Sequence, residues 1–160
     1  RHLLDGCVSL VCLKHSIPME SKMNVLSDSD LSQFIGTESY TRWSMLFPRH
    51  VITDGVKYLA EKASAFWLLD AIASYHRKLI KAGEKDSRLN QFQIWCLNKN
   101  PKGGVILTCK ADSNEKPVVR QVITFSDFFE NYSGEELKLY VIPQEFSTGT
   151  KNVILLPSEY

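Results

Sequence analysis

The polar side chains best placed to do chemistry gather in one stretch: Tyr40, Arg42, Trp43, His50, Asp54, Lys57 and Glu61, with Asp70 a little further on. Thr53-Asp54-Gly55 reads as a helix start, and the free amides of a first helical turn attract anions. Arg42, Arg49 and His50 lie nearby, so Asp54, His50, Arg42 and Glu61 could serve as the polar contacts of a ligand site or a small active site at that helix end. A structural explanation competes with this one. Asp54 or Thr53 used as a cap takes up the same amides. Lys57 and Glu61, four apart on one helical face, would make an ordinary surface pair worth about 0.3 kcal/mol.

Asp70 sits inside the apolar run Phe66-Trp67-Leu68-Leu69-Asp70-Ala71-Ile72. An ionised carboxylate buried there is costly unless paired, so it is expected to be a partnered structural aspartate or a partly exposed one before it is a general base. Trp67 and Ser74 are within helical reach, and Arg42, His50 or a strand tyrosine could reach it from elsewhere. His76 near the end of the same helix would feel a dipole that favours its cation. Trp67 and Trp95 are expected to pack between helix and sheet, which leaves Trp43 as the tryptophan with room for a binding role. The chain has no His-x-x-x-His, no Cys-x-x-Cys, no Gly-x-Ser-x-Gly and no phosphate-binding loop, so no metal and no cofactor is expected.

The elements that must position these groups follow from periodicity. Ser27 to Asp30 has capping-box spacing, with Leu31 and Phe34 on one face, which predicts a short helix ended by Gly36-Thr37-Glu38. Residues 39–45 read as an extended segment or a loop. From Val56 to about Lys81, Leu59, Ala63, Phe66, Leu69, Ala73 and Ile80 fall at helical steps, with Ala60, Trp67, Ala71, Tyr75 and Leu79 in a second row. That predicts one long helix of about 25 residues, roughly 38 Å, with a wide apolar face. After Asn90 come five β-rich runs at 92–97, 105–110, 118–125, 137–142 and 153–156, the first three joined by short hairpin connections. The last run ends at Pro157 and reads as an edge strand, whose free backbone groups could add a partner strand. The expected fold is α+β: a short N-terminal helix and one long helix packed on a four- to five-stranded antiparallel sheet.

Four blocks carry a likeness: Gly36-Thr37-Glu38-Ser39-Tyr40, the run from Thr53 to Glu61, the run from Phe66 to Ile72, and Leu155-Leu156-Pro157-Ser158-Glu159-Tyr160. In these the sequence resembles a small bacterial domain family of unknown function, found in cyanobacteria, other bacteria and mobile elements. The likeness runs from about Asn24 to Tyr160. It implies a bacterial, cytoplasmic setting and a domain boundary, but no reaction. The basic segment 78–88 and the loop 145–152 depart from the family pattern.

Composition limits the remaining options. With 160 residues and 44% apolar side chains, the chain can bury one sizeable core without disulfides or metals. It begins with Arg1, and Met23 makes a more natural opening. Residues 1–22 are therefore read as a leader or non-native extension, expected to be poorly ordered, and 23–160 as a single domain. Cys96 and Cys109 lie on neighbouring predicted strands, where a disulfide is geometrically open, but free thiols fit a reducing compartment. No apolar run approaches the roughly 20 residues of a membrane span. The net charge of +1 argues against a nucleic-acid partner, although residues 55–126 carry 12 basic and 6 acidic side chains and 127–160 carry 2 and 6. The function expected is a non-enzymatic protein-interaction or regulatory module, with a protein partner or a second copy at a sheet edge. The alternative is a small-molecule-binding domain or small enzyme with its site at the N-terminus of the long helix.

Overall fold

The computed structural model describes residues 25–160, so the expected leader, with Cys7 and Cys12, lies outside the described residues. The first helix, α1 (Asp28–Leu31), is held by the capping box its sequence specifies. The Asp30 amide donates to Ser27 Oγ at 3.3 Å and the Ser27 amide to Asp30 Oδ2 at 2.9 Å. Two short strands follow, β1 (Tyr40–Thr41) and β2 (His50–Thr53). Three helices come next: α2 (Asp54–Lys62), α3 (Phe66–Ser74) and α4 (His76–Lys85). A 3-10 turn (Ser87–Asn90) leads into β3 (Gln93–Lys99), β4 (Val105–Lys110) and β5 (Val119–Ile123). Then come α5 (Phe128–Asn131), β6 (Glu136–Phe146), β7 (Gly149–Leu155) and a last 3-10 turn (Pro157–Glu159).

The long helix is not observed. Its span is divided into three because the chain turns at Ser64, a non-glycine residue with φ of 52°. The Ala65 amide reaches back to the Ala60 carbonyl at 2.9 Å, the six-to-one bond of a Schellman ending, with Ser64 in the position glycine normally fills. A second break falls at Tyr75, whose amide bonds three residues back to Ile72. The two apolar rows are used only in part: Leu59, Ala60, Ala63, Leu69, Ala73 and Leu79 are buried, together with Leu68 and Ile72 from outside both rows, whereas Phe66 and Ile80 are exposed because the breaks rotate the later helices away from a single continuous face. Burying each leucine or isoleucine contributes up to about 1.5–3 kcal/mol, an upper figure set by the extended-chain reference.

The sheet also differs from expectation. It has seven strands in the order β1-β2-β7-β6-β3-β4-β5, and it is mixed, since β2 and β7 run parallel with His50 opposite Asn152. The two unexpected strands, β1 and β2, are two and four residues long, too short to show a period of two. A parallel neighbour separated by almost a hundred residues leaves no local signal. The meander β3-β4-β5 is antiparallel, as the turn residues require. Gly103 and Gly104 close its first turn at positive φ, and a Cβ on Gly104 would lie 2.1 Å from the Ile123 carbonyl oxygen. The last strand is not an edge: β7 lies between β2 and β6, and the outermost strands are β1 and β5.

The helices cover one face. Ile52, Trp95, Leu97, Leu107, Cys109, Val119, Leu139 and Ile154 point into that core. Their strand neighbours Val51, Val153 and Leu155 form a second cluster on the opposite face with Tyr140, Ile142 and Phe146. Cys109 pairs in register with Trp95, whereas Cys96 pairs with Thr108, so the two thiols lie on opposite faces of the sheet and both are free. Burial pushes both thiols up, Cys109 to about 12.

Candidate functional site

The N-terminus of α2 is occupied by the chain itself. Thr53 ends β2 and caps the helix, and its hydroxyl donates to Glu159 Oε1 at 2.6 Å. The Gly55 amide donates to Glu159 Oε2 at 3.2 Å, and the Leu156 amide to Oε1 at 3.1 Å. Glu159 is buried, so this carboxylate serves as the anion that the free amides attract. Gly55 is required there: a Cβ would lie 2.6 Å from Glu159 Oε1 and 2.6 Å from Leu156 Cδ1. Asp54 turns the other way. It accepts from the Ser39 hydroxyl at 2.5 Å and from the amides of Glu38 and Ser39 at 3.1 and 3.2 Å, with Thr37 Oγ1 at 3.2 Å. These donors, the Ser39 hydroxyl first, hold the Asp54 carboxyl below its ordinary range. Three sequence blocks, residues 36–40, 53–61 and 155–160, thus form one structural knot, and the anion site expected at this helix end is filled by Glu159.

The remaining candidates divide. Lys57 and Glu61 are exposed on α2, and no ion pair joins them among the described residues. Tyr40 packs edge-on against Phe146 at 5.1 Å, and its hydroxyl donates to Gln144 at 3.2 Å, tying β1 to the far end of β6. Arg42 is exposed. Trp43, His50 and Asp70 do come together. Trp43 Nε1 donates to Asp70 Oδ1 at 2.9 Å, and Asp70 is exposed on α3 despite its apolar neighbours. The indole also stacks on Phe47 at 6.1 Å and meets the His50 ring edge-on at 6.4 Å. The bond to Asp70 therefore pins the loop before β2 over α3.

Beneath that loop lies a cavity of about 170 Å3 lined by Leu46, Phe47, Pro48, Arg49, His50, Ala73 and His76. His50 shares a face with Ile52, beneath the helices, and is 4% exposed. His76 is the first residue of α4, and its ring lies 5.2 Å from that of His50, edge to face. Asn152, opposite His50 in register, places Nδ2 3.3 Å from His76 Nδ1. Burial first, and then the neighbouring His76, push His50 down to about 4. Burial and then the Arg49 guanidinium lower His76 too. The dipole expected to favour the His76 cation acts in the opposite sense, because the break at Tyr75 puts this residue at a helix N-terminus.

At neutral pH the pair is therefore uncharged, each ring offering one donor and one acceptor beside the positive Arg49. An imidazole with a pKa near 4 is a weak base at pH 7, and the Asp70 carboxylate is engaged by Trp43. The arrangement suits hydrogen bonding to a guest better than proton transfer. Arg49 was grouped with His50 by adjacency in the sequence, whereas His76, 26 residues on, had no local signal to join it to His50. Asn152 had no local signal, since only the parallel β2-β7 register brings it there. Among the described residues no group of three or more His, Cys, Asp or Glu side chains is spaced to hold a metal ion.

A one-sided helical layer on a seven-stranded mixed sheet, with a self-capped α2 and a histidine-lined cavity at the β2-α4 corner, defines an α+β domain. The chain belongs to a family of unknown function, DUF6876, which it matches over residues 26–160. No curated protein and no solved structure matches it. Among the described residues no helix is long and apolar enough to cross a membrane.

Proposed function

We propose that the domain is a non-enzymatic protein-interaction or regulatory module that works by strand addition at β5, with a second copy of the chain as the partner. The observation that carries this reading is the outer position of β5. No described strand lies beyond it, Val122 is 42% exposed, and Phe125 just after the strand is 95% exposed. An outer strand presents unpaired amides and carbonyls, which template a further strand. Antiparallel self-pairing centred on Gln121 would set Val119 opposite Ile123 and Arg120 opposite Val122, so apolar pairs meet twice and no like charges are directly opposed. Two further observations support binding over catalysis: Asp54 and Glu159 are committed to structural hydrogen bonds, and His50 is a weak base at neutral pH.

A five-residue edge buries little surface, below about 1,200 Å2 with its flanks, so the association is expected to be weak and concentration-dependent. Light scattering on a size-exclusion column tests it. At high micromolar concentration the mass should approach twice the 18.2 kDa of one chain. The double variant Val122→Lys, Phe125→Lys should remain a monomer with an unchanged circular dichroism spectrum. A wild-type chain that stays monomeric throughout, or a double variant that associates equally, would refute the reading.

A further inference from the structure

We propose that the cavity at the β2-α4 corner is a binding site for a small molecule consisting of one ring that carries an anionic group, a carboxylate or a phosphate. Its size and walls set the apolar part. A volume of about 170 Å3 is close to the roughly 150 Å3 that accepts benzene in an engineered protein interior. Leu46, Phe47, Pro48 and Ala73 supply apolar contact. Leu46 is 83% exposed, as is Met45 at 84%, so a guest gives the lip of the cavity surface to cover.

The polar groups set the charge. Arg49 lines the cavity and forms no ion pair with a described residue, whereas Arg88 binds both Asp86 and Glu115. The Asp70 carboxylate, three residues before Ala73 on α3, is engaged by Trp43. Arg49 is therefore the cation at the cavity that is free to meet an anion. Arg49 can take an anion in a charge-assisted bond, and the two neutral imidazoles can each offer an N–H to one of its oxygens. The Trp43-Asp70 bond and the Asn152-His76 contact hold loop and ring in place, so little ordering accompanies binding.

The site lies near the opposite end of the sheet from β5, so this proposal and the self-association proposal succeed or fail separately. A titration of the full chain, followed by amide 1H-15N spectra at fixed ionic strength, tests it with benzoate, phenyl phosphate and benzylammonium. Benzoate or phenyl phosphate should produce saturable shifts centred on Leu46, His50, Ala73 and His76, and the tighter of the two identifies the anion. Benzylammonium, of like size and opposite charge, should bind about tenfold more weakly. Arg49→Gln should weaken anion binding by about tenfold while leaving distant resonances in place, and raising the salt should weaken it in the wild type. Equal binding of benzylammonium and benzoate, an Arg49→Gln variant with undiminished affinity, or no saturable shift with either anion would each overturn the proposal.

Discussion

Acidification from pH 7.5 to 4.5 should destabilise this domain well before its carboxylates protonate, and His50 is the reason. Its folded pKa of about 4 lies below the ordinary 6.5, so the unfolded chain takes up a proton in a range where the folded chain does not. The sign follows directly: stability is fully present above about pH 6.5 and is lost as the pH falls through 6.5 towards 4. At about 1.36 kcal/mol per pH unit over roughly two units, the contribution lost by pH 4.5 is about 2.5 kcal/mol. No discount for solvent applies, because the side chain is almost wholly buried. His76, also lowered, adds in the same direction, and Arg49 is the charge that faces it. The lowered carboxyls of Asp30, Asp54 and Asp86 act below about pH 4, outside this window. Urea denaturation read by tryptophan fluorescence at the two pH values measures the loss. A His50→Gln variant, whatever its own stability, should lose about 2.5 kcal/mol less between them. If the variant and the wild type lose the same amount, or if the His50 ring titrates near 6.5 by NMR, the buried neutral imidazole is wrong.

Other perturbations probe the structural knot and the helix break. Glu159→Gln removes the charge that receives the Thr53 hydroxyl and the Gly55 amide, and should cost about 2 kcal/mol in denaturant titration. Gly55→Ala places a methyl 2.6 Å from Glu159 and Leu156, and should lower stability by about 1–3 kcal/mol, seen as a fall in melting temperature. Ser64→Gly relieves a left-handed residue and should stabilise by about 0.5 kcal/mol after the greater chain entropy of glycine is counted, whereas Ser64→Val should destabilise. Cys96 and Cys109 should both titrate as thiols in denaturant, with Cys109 unreactive in the native state. A mobility shift showing a bridge between them would contradict their placement on opposite faces.

Local features were legible in the sequence where their cause is local. The Ser27-Asp30 capping box, the Thr53 cap, the hairpin glycines and the β3-β4-β5 meander rest on residues a few positions apart, and the structure contains each of them. The two apolar rows of residues 56–81 match the core only in part, since Phe66 and Ile80 are exposed and Leu68 and Ile72, outside both rows, are buried; hydrophobic period does not register a turn in which serine stands where glycine is usual, so three helices read as one. The strand count failed for a related reason: β1 and β2 are too short to be periodic, and β2 is a strand through its pairing with β1 on one side and the distant β7 on the other.

The candidate site divides along the same line. The residue types at Trp43, His50, Asp54 and Asp70 were informative by themselves, but what each one does depends on segments distant in the chain: Glu159 fills the helix end beside Asp54, Trp43 engages Asp70, and burial beneath the helices, with His76 adding to it, lowers His50. Sequence alone determined the capping chemistry, the hairpin turns and the antiparallel β3-β4-β5 pairing, since these depend on neighbouring residues. Tertiary structure decided the strand order, the face each cysteine occupies, the occupant of the α2 terminus and the presence of the cavity, because each is set by contacts between segments tens of residues apart that leave no local pattern.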